Sequence, residues 1–189
     1  MKEVCKNISS GGTPNSKNKN YYGGKIPWLR TQEVNFGEIN KTEMTITEEG
    51  LKNSSAKWVS SNCVIVAMYG ATVGKVAYTS IPLTTNQACC NLEIDENIAE
   101  YKYIYYYLAN NYHNIKNMGQ GSQTNINSKV IKDLKIPIPM LAVQKRIVNV
   151  LDNFAAICTD LNIGLPAEIK KRQQQYEYYR DKLLSFKNI

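Results

Sequence analysis

Histidine is almost missing from this chain: His113 is the single imidazole in 189 residues. It has no cysteine or serine beside it in any arrangement that would make a nucleophile and its base. The five cysteines, Cys5, Cys63, Cys89, Cys90 and Cys158, are odd in number and lack C-x-x-C spacing. That argues against both a disulfide framework and a zinc site, and leaves reduced thiols, mostly in the core. No run reaches the roughly 18 apolar residues of a membrane span, and the first residues are polar and lysine-bearing instead of signal-like. The expected location is the cytoplasm, where the sequons at Asn7 and Asn53 carry no meaning.

Catalytic motifs are absent as well. Tyr69-Gly70-Ala71-Thr72-Val73-Gly74-Lys75 looks at first like a phosphate-binding loop. Its first position is Tyr69 instead of glycine, Val76 follows Lys75 where Ser or Thr is needed, and a strand follows instead of a helix. Asp133-Leu134-Lys135 has the acid-x-lysine spacing of some nucleases but no partner carboxylate on a neighbouring strand. Adenine methylation would need an Asn/Asp-Pro-Pro-Tyr loop and a glycine-rich cofactor strand, and neither occurs. The sequence reads as a binding protein, not an enzyme, with no cofactor and no metal.

What is present is positive charge. Twenty-three basic residues against 16 acidic ones give a net charge of +7. Residues 1–30 carry Lys2, Lys6, Lys17, Lys19, Lys25 and Arg30 against Glu3 alone, which points that end towards phosphate.

Residues 9–25 mix turn formers with lysines and tyrosines and read as a long exposed loop. A strand is expected over Ile26 to Val34, a short helix near Glu48, and a hairpin from residues 63–69 and 73–79 across Gly70-Ala71-Thr72. A further strand covers Ala88 to Ile94. Ala99 to Asn110 reads as a helix with Tyr103, Tyr106 and Tyr107 on one face. A polar loop over residues 119–125 leads to a helical turn near Ser128 to Asp133, and Ile136-Pro137-Ile138-Pro139 marks an edge. Beyond it a short helix is expected over Gln144 to Leu151, then Asp152 as an N-cap, with Asn153 to Leu161 opening a helical arm. The expected fold is α+β: a mixed β-rich domain over residues 1–139 and a helical arm over residues 140–189.

After Gly164, with Pro166 in the first turn, the arm reads as a helix built to pair with another. Ile169, Tyr176 and Leu183 fall at a, and Leu165, Arg172, Tyr179 and Phe186 at d, of a heptad.

This last segment resembles the long helical region of specificity subunits of type I restriction-modification systems. The similarity lies in Leu165-Pro166-x-Glu168-Ile169 and in Tyr176-Glu177-Tyr178-Tyr179-Arg180-Asp181-x-Leu183-Leu184-x-Phe186. Ser10-Gly11-Gly12-Thr13-Pro14 with Tyr22 to Trp28 is similar to the opening of the family's target recognition domain. Residues 64–70, 86–88, 119–123, 136–139 and 144–148 are similar to further recurring segments. The usual member carries two recognition domains and two arms, whereas this chain has one of each. A natural half-subunit, a C-terminal half and an excised fragment all fit that size.

The resemblance implies a non-catalytic DNA reader. Each recognition domain takes one half of a split site in double-stranded DNA, and the arms dock methyltransferase subunits and, through them, the restriction subunit. A half-length chain would restore this as a homodimer through antiparallel arms. The expected DNA contacts are Thr13, Lys17, Lys19, Lys25, Arg30, Thr31, Gln32, Tyr69, Thr72, Lys75, Gln87, Gln120, Ser122, Gln123 and Asn125. Arg and Gln suit bidentate contacts with base edges, while Lys17, Lys19 and Lys25 suit phosphates. Gln144, Arg146 and Arg180 are the candidate methyltransferase contacts. The rival reading is an assembly or decoy module that dimerises and occupies methylation subunits without reading DNA.

Overall fold

The computed structural model describes residues 1–119, 125–159 and 164–184. Val64-Ile65-Val66-Ala67 is apolar on both faces, as a strand buried from both sides must be, and Cys89-Cys90-Asn91-Leu92-Glu93-Ile94 is buried at every position except the partly exposed Glu93. They form β6 (Val64–Ala67) and β9 (Cys89–Ile94), antiparallel at the centre of a five-stranded sheet. β1 (Cys5–Ser10) extends it beyond β9; β7 (Val76–Thr79) and then β3 (Glu38–Ile39) extend it beyond β6, giving the order β1-β9-β6-β7-β3. β6 and β7 are the expected hairpin.

The second sheet has four strands in the order β4-β2-β8-β5: β4 (Met44–Ile46), β2 (Tyr22–Leu29), β8 (Leu83–Thr85) and β5 (Trp58–Val59). β2 and β8 run parallel, with Leu29 beside Thr85. Leu29, Val34, Val59, Ile65, Ala67, Leu83 and Cys89 form one buried cluster drawn from both sheets, and Ile26, Trp28, Ile46 and Ala56 form another. Each large side chain so buried contributes about 1.5–3 kcal/mol.

Helix α1 (Glu48–Lys52) is capped by the Thr47 hydroxyl, and α4 (Ser128–Asp133) by the Asn127 side chain. α2 (Tyr101–Asn110) and α3 (Tyr112–Asn117) follow β9. The tyrosine face of α2 departs from expectation: Tyr103 and Tyr105 are buried, while Tyr106 and Tyr107 are half-exposed. Tyr105 turns inward because its ring packs edge-on against Tyr78 of β7 at 5.0 Å.

Two further expectations are corrected. The strand expected from Ile26 starts at Tyr22 and stops at Leu29, where a 3₁₀ turn over Thr31–Glu33 takes over. Asp152 does not open a new helix: it lies inside α5, which runs unbroken over Leu141–Thr159, a stretch that no glycine or proline interrupts. α6 (Gly164–Leu184) places Pro166 in its first turn. By its internal contacts the chain divides into Met1–Lys145 and Arg146–Ile189.

The thiols of Cys63, Cys89 and Cys90 are buried, that of Cys5 is partly so, and that of Cys158 is exposed. Burial pushes the Cys5 thiol from its ordinary 9.0 up to about 11 and Cys90 up to about 12, and it also raises Cys63 and Cys89 well above the ordinary value. Among the described residues no group of three or more His, Cys, Asp or Glu could hold a metal ion, and no helix is long and apolar enough to cross a membrane.

Candidate nucleic-acid interface

The strand pairings bring six strand ends to one edge of the first unit. In the larger sheet Ala67, closing β6, lies opposite Cys89, opening β9, and Ser10, closing β1, lies opposite Cys90. Val66 pairs with Val76 at the start of β7. In the smaller sheet β2 and β8 end side by side. Main-chain hydrogen bonds tie these ends together: Gly12 N–H donates to Thr85 O at 2.9 Å, Asn86 N–H to Leu29 O at 2.9 Å, Met68 N–H to Ala88 O at 2.8 Å and Ile126 N–H to Met68 O at 3.0 Å. Gly11 makes the first of these crossings possible, since a Cβ there would fall 1.8 Å from Thr85 O.

Nine of the expected contact residues stand on this edge. The Thr13 hydroxyl donates to Gln87 Oε1, pairing two exposed side chains. The Thr72 hydroxyl, on the β6–β7 turn, donates to Thr31 O at 2.7 Å. Lys75 Nζ donates to Asn35 Oδ1 at 2.7 Å. Tyr69 is exposed at the turn, and Asn125 precedes the Ile126 link to Met68.

Arg30 sits in a cage. Its Nη2 donates to Glu43 Oε2 at 2.6 Å, and Nε lies 3.6 Å from Glu33 Oε1 with no hydrogen-bond partner. Gln32, with its amide oxygen turned towards Arg30, accepts from both terminal nitrogens at 3.0 and 3.1 Å. Glu33 holds the base of the cage through the main-chain N–H groups of Arg30 and Glu43. The guanidinium is thus fixed in position, and any bidentate contact with a base requires Glu43 and Gln32 to give way.

Lys17, Lys19 and Lys25 are not brought to this edge. Lys17 and Lys19 lie on the turns around Asn15 and Asn18 that lead into β2. Lys25 is exposed within β2, about 13 Å before Leu29 at roughly 3.3 Å per residue. Gln120, Ser122 and Gln123 lie outside the described residues.

The sequence reading also passed over residues that this edge gathers. Asn35 and Phe36 are exposed next to Lys75. Lys57 is exposed one residue before Trp58, which pairs with Thr84 and is itself half in water. An Asn-x-Gly turn at Asn35-Phe36-Gly37 was the one local signal available for the first pair.

In the second unit the expected pairing face of α6 is in water: Leu165, Ile169, Arg172, Tyr176, Tyr179 and Leu183 are all exposed, Leu183 at 75%. Phe186 lies outside the described residues. α5 carries a second stripe that the sequence reading missed, with Ile147, Val150, Phe154 and Ile157 exposed at steps of three, four and three. Gln144 is no surface contact. It is fully buried in the first unit, where Oε1 accepts from Glu100 N–H at 2.9 Å and Nε2 donates to Ile98 O and Pro139 O at 3.2 and 2.7 Å.

The first unit is thus a two-sheet body with polar turns collected at one edge, and the second carries a helix whose apolar side chains stand in water. The family model for the type I restriction modification DNA specificity domain matches residues 1–171, and the chain belongs to that family. It is 38% identical over 184 residues to the specificity subunit of the type I restriction enzyme EcoR124I/EcoR124II of Escherichia coli, covering 93% of this chain and 45% of that one. It is 31% identical over 197 residues to the EcoprrI specificity subunit of the same species, covering 96% and 48%. The chain therefore spans about half the length of these relatives. The HsdS subunit of Thermoanaerobacter tengcongensis has the same α+β fold, with a TM-score of 0.64 at 22% identity over 92% of this chain and 41% of that one.

Proposed function

We propose that this chain reads one half of a two-part site in double-stranded DNA and lends that selectivity to catalytic subunits of a restriction-modification complex. The observation that carries this reading is the convergence of Thr13, Arg30, Thr31, Gln32, Tyr69, Thr72, Lys75, Gln87 and Asn125 on one edge. Hydroxyls, amides and a guanidinium presented from rigid strand ends suit hydrogen bonding to base edges. Lys17, Lys19 and Lys25, standing away from that edge on exposed turns and strand, supply affinity for the phosphate backbone without sequence preference. The recognition unit is residues 1–139 and the assembly arm residues 140–189.

The arm pairs with a second copy through α6, antiparallel, using Leu165, Ile169, Arg172, Tyr176, Tyr179, Leu183 and Phe186. The water-exposed seam supports this occupant. A two-fold dimer copies its symmetry onto the DNA, so the target is a split palindrome. The described 21-residue α6 spans roughly 30 Å at about 1.5 Å per residue, close to the roughly 34 Å of one DNA turn. Methyltransferase subunits dock on the arm, with Arg146 and Arg180 exposed there, and the restriction subunit joins through them.

Selection from a randomised duplex library at two salt concentrations tests the reading. The expected result is an enriched two-part motif that survives the higher salt. Binding that is salt-sensitive and enriches nothing would overturn it in favour of an assembly module that does not read DNA.

A further inference from the structure

Phe36 combines features that a surface residue usually avoids. Its φ is +48°, in the left-handed region, and Gly37 follows at +121°. Among the described residues the only other non-glycine residue with positive φ is Asn62, a type that tolerates this conformation. Phe36 is also 41% exposed. Asn or Gly at this position would relieve both the backbone strain and the exposure of an apolar ring.

The ring is braced. Tyr112 of α3 meets it edge to face at 5.4 Å between centroids. Two ammonium groups flank the pair: Lys75 Nζ lies 5.9 Å from the Phe36 ring centre and Lys116 Nζ 5.7 Å from that of Tyr112. Gly37 O accepts from Tyr78 N–H at 3.0 Å, and Glu38 pairs with Tyr78 in parallel. Phe36 thus stands level with the start of β7, on the edge that gathers the candidate contacts.

An exposed ring packed against a second ring, with one ammonium near each, matches a base face bordered by phosphates. We infer that Phe36 is a stacking wedge: it enters a base step at the margin of the half-site and partly unstacks it, while Lys75 and Lys116 hold the adjoining phosphates. The inference rests on the DNA-reading function proposed above and adds to it a deformation of the duplex.

The test uses the full chain and duplexes of its selected motif carrying 2-aminopurine at one position at a time. One step should brighten several-fold with the unaltered chain. Phe36→Ala should abolish the brightening and weaken binding about tenfold, whereas Phe36→Trp should keep both. Phe36→Asn should abolish the brightening without lowering Tm, because Asn accepts the left-handed backbone. Selective binding with no bright position, or brightening retained by Phe36→Ala, overturns the wedge while leaving the DNA-reading function standing. Failure of the unaltered chain to select any motif is the separate failure of that function.

Discussion

Arg30 is held in place by its neighbours. Both ends of its guanidinium are occupied by Glu43 and Gln32, so approach to a guanine edge exchanges a carboxylate and an amide for the neutral O6 and N7 acceptors of the base. Arg30→Ala should relax preference at one base pair by about 1–3 kcal/mol, measured by competition among single-base variants of the selected duplex. Equal weakening across all variants would make Arg30 a phosphate contact. Glu43→Gln should tighten binding at low salt, because it removes an exposed carboxylate from the path of the phosphates. Gln144 matters through burial. Gln144→Ala leaves Glu100 N–H and two carbonyls without their partner, and should cost about 2–3 kcal/mol in denaturant unfolding. The raised thiols set a pH dependence. Below the ordinary thiol value both folded and unfolded states keep the proton; above about 9 the unfolded chain ionises first, so stability is lost as pH climbs towards the folded values of about 11 and 12 at Cys5 and Cys90. Denaturant midpoints should therefore be level up to about pH 8 and fall by about pH 10.5. In the native state Cys158 alone should react quickly with a thiol reagent.

At the scale of the element, α6 should behave as an adhesive rod. Placing charges on its seam with Tyr176→Glu and Leu183→Glu should reduce self-association at least tenfold in sedimentation or light scattering. The same changes should leave the thermal unfolding of the first unit as it was, since these side chains are exposed in the single chain. Elements with their own local pattern were legible in the sequence. The β6–β7 hairpin has two β-branched runs across Gly70; α4 has Asn127 as its cap; α6 has proline in its first turn and a heptad behind it. β1 was not legible, because Cys-Lys-Asn-Ile-Ser-Ser has no strong strand pattern and is held by its pairing with β9, more than 80 residues later in the chain. β3, β4 and β5, of two or three residues each, exist only because longer strands give them a partner. The α5 stripe was missed because Asp152 was read as a boundary. The expected contact residues were found one by one from their chemistry, but that nine of them share an edge depends on the parallel alignment of β2 with β8, which no local pattern reports. Phe36 was passed over for the same reason: its strain and its brace appear only in three dimensions.

For the molecule as a whole, the proposed dimer and the symmetry of its proposed target are linked. If two copies join through antiparallel arms, a duplex holding one half-site should bind far more weakly than one holding two inverted half-sites, and the advantage should vanish when the arm seam is charged. Titrating both duplexes with the unaltered and the charged chains checks this. The edge built from strand ends has one more consequence. The side chains that keep the fold, such as Leu29, Ile65 and Leu92, are wholly buried behind it, while those that would choose bases hang from turns just past the last paired residue. Under the proposed function, new targets would be acquired by exchanging a few turn residues on an unchanged framework, and a lineage of such proteins would diversify its vocabulary without having to rediscover how to fold.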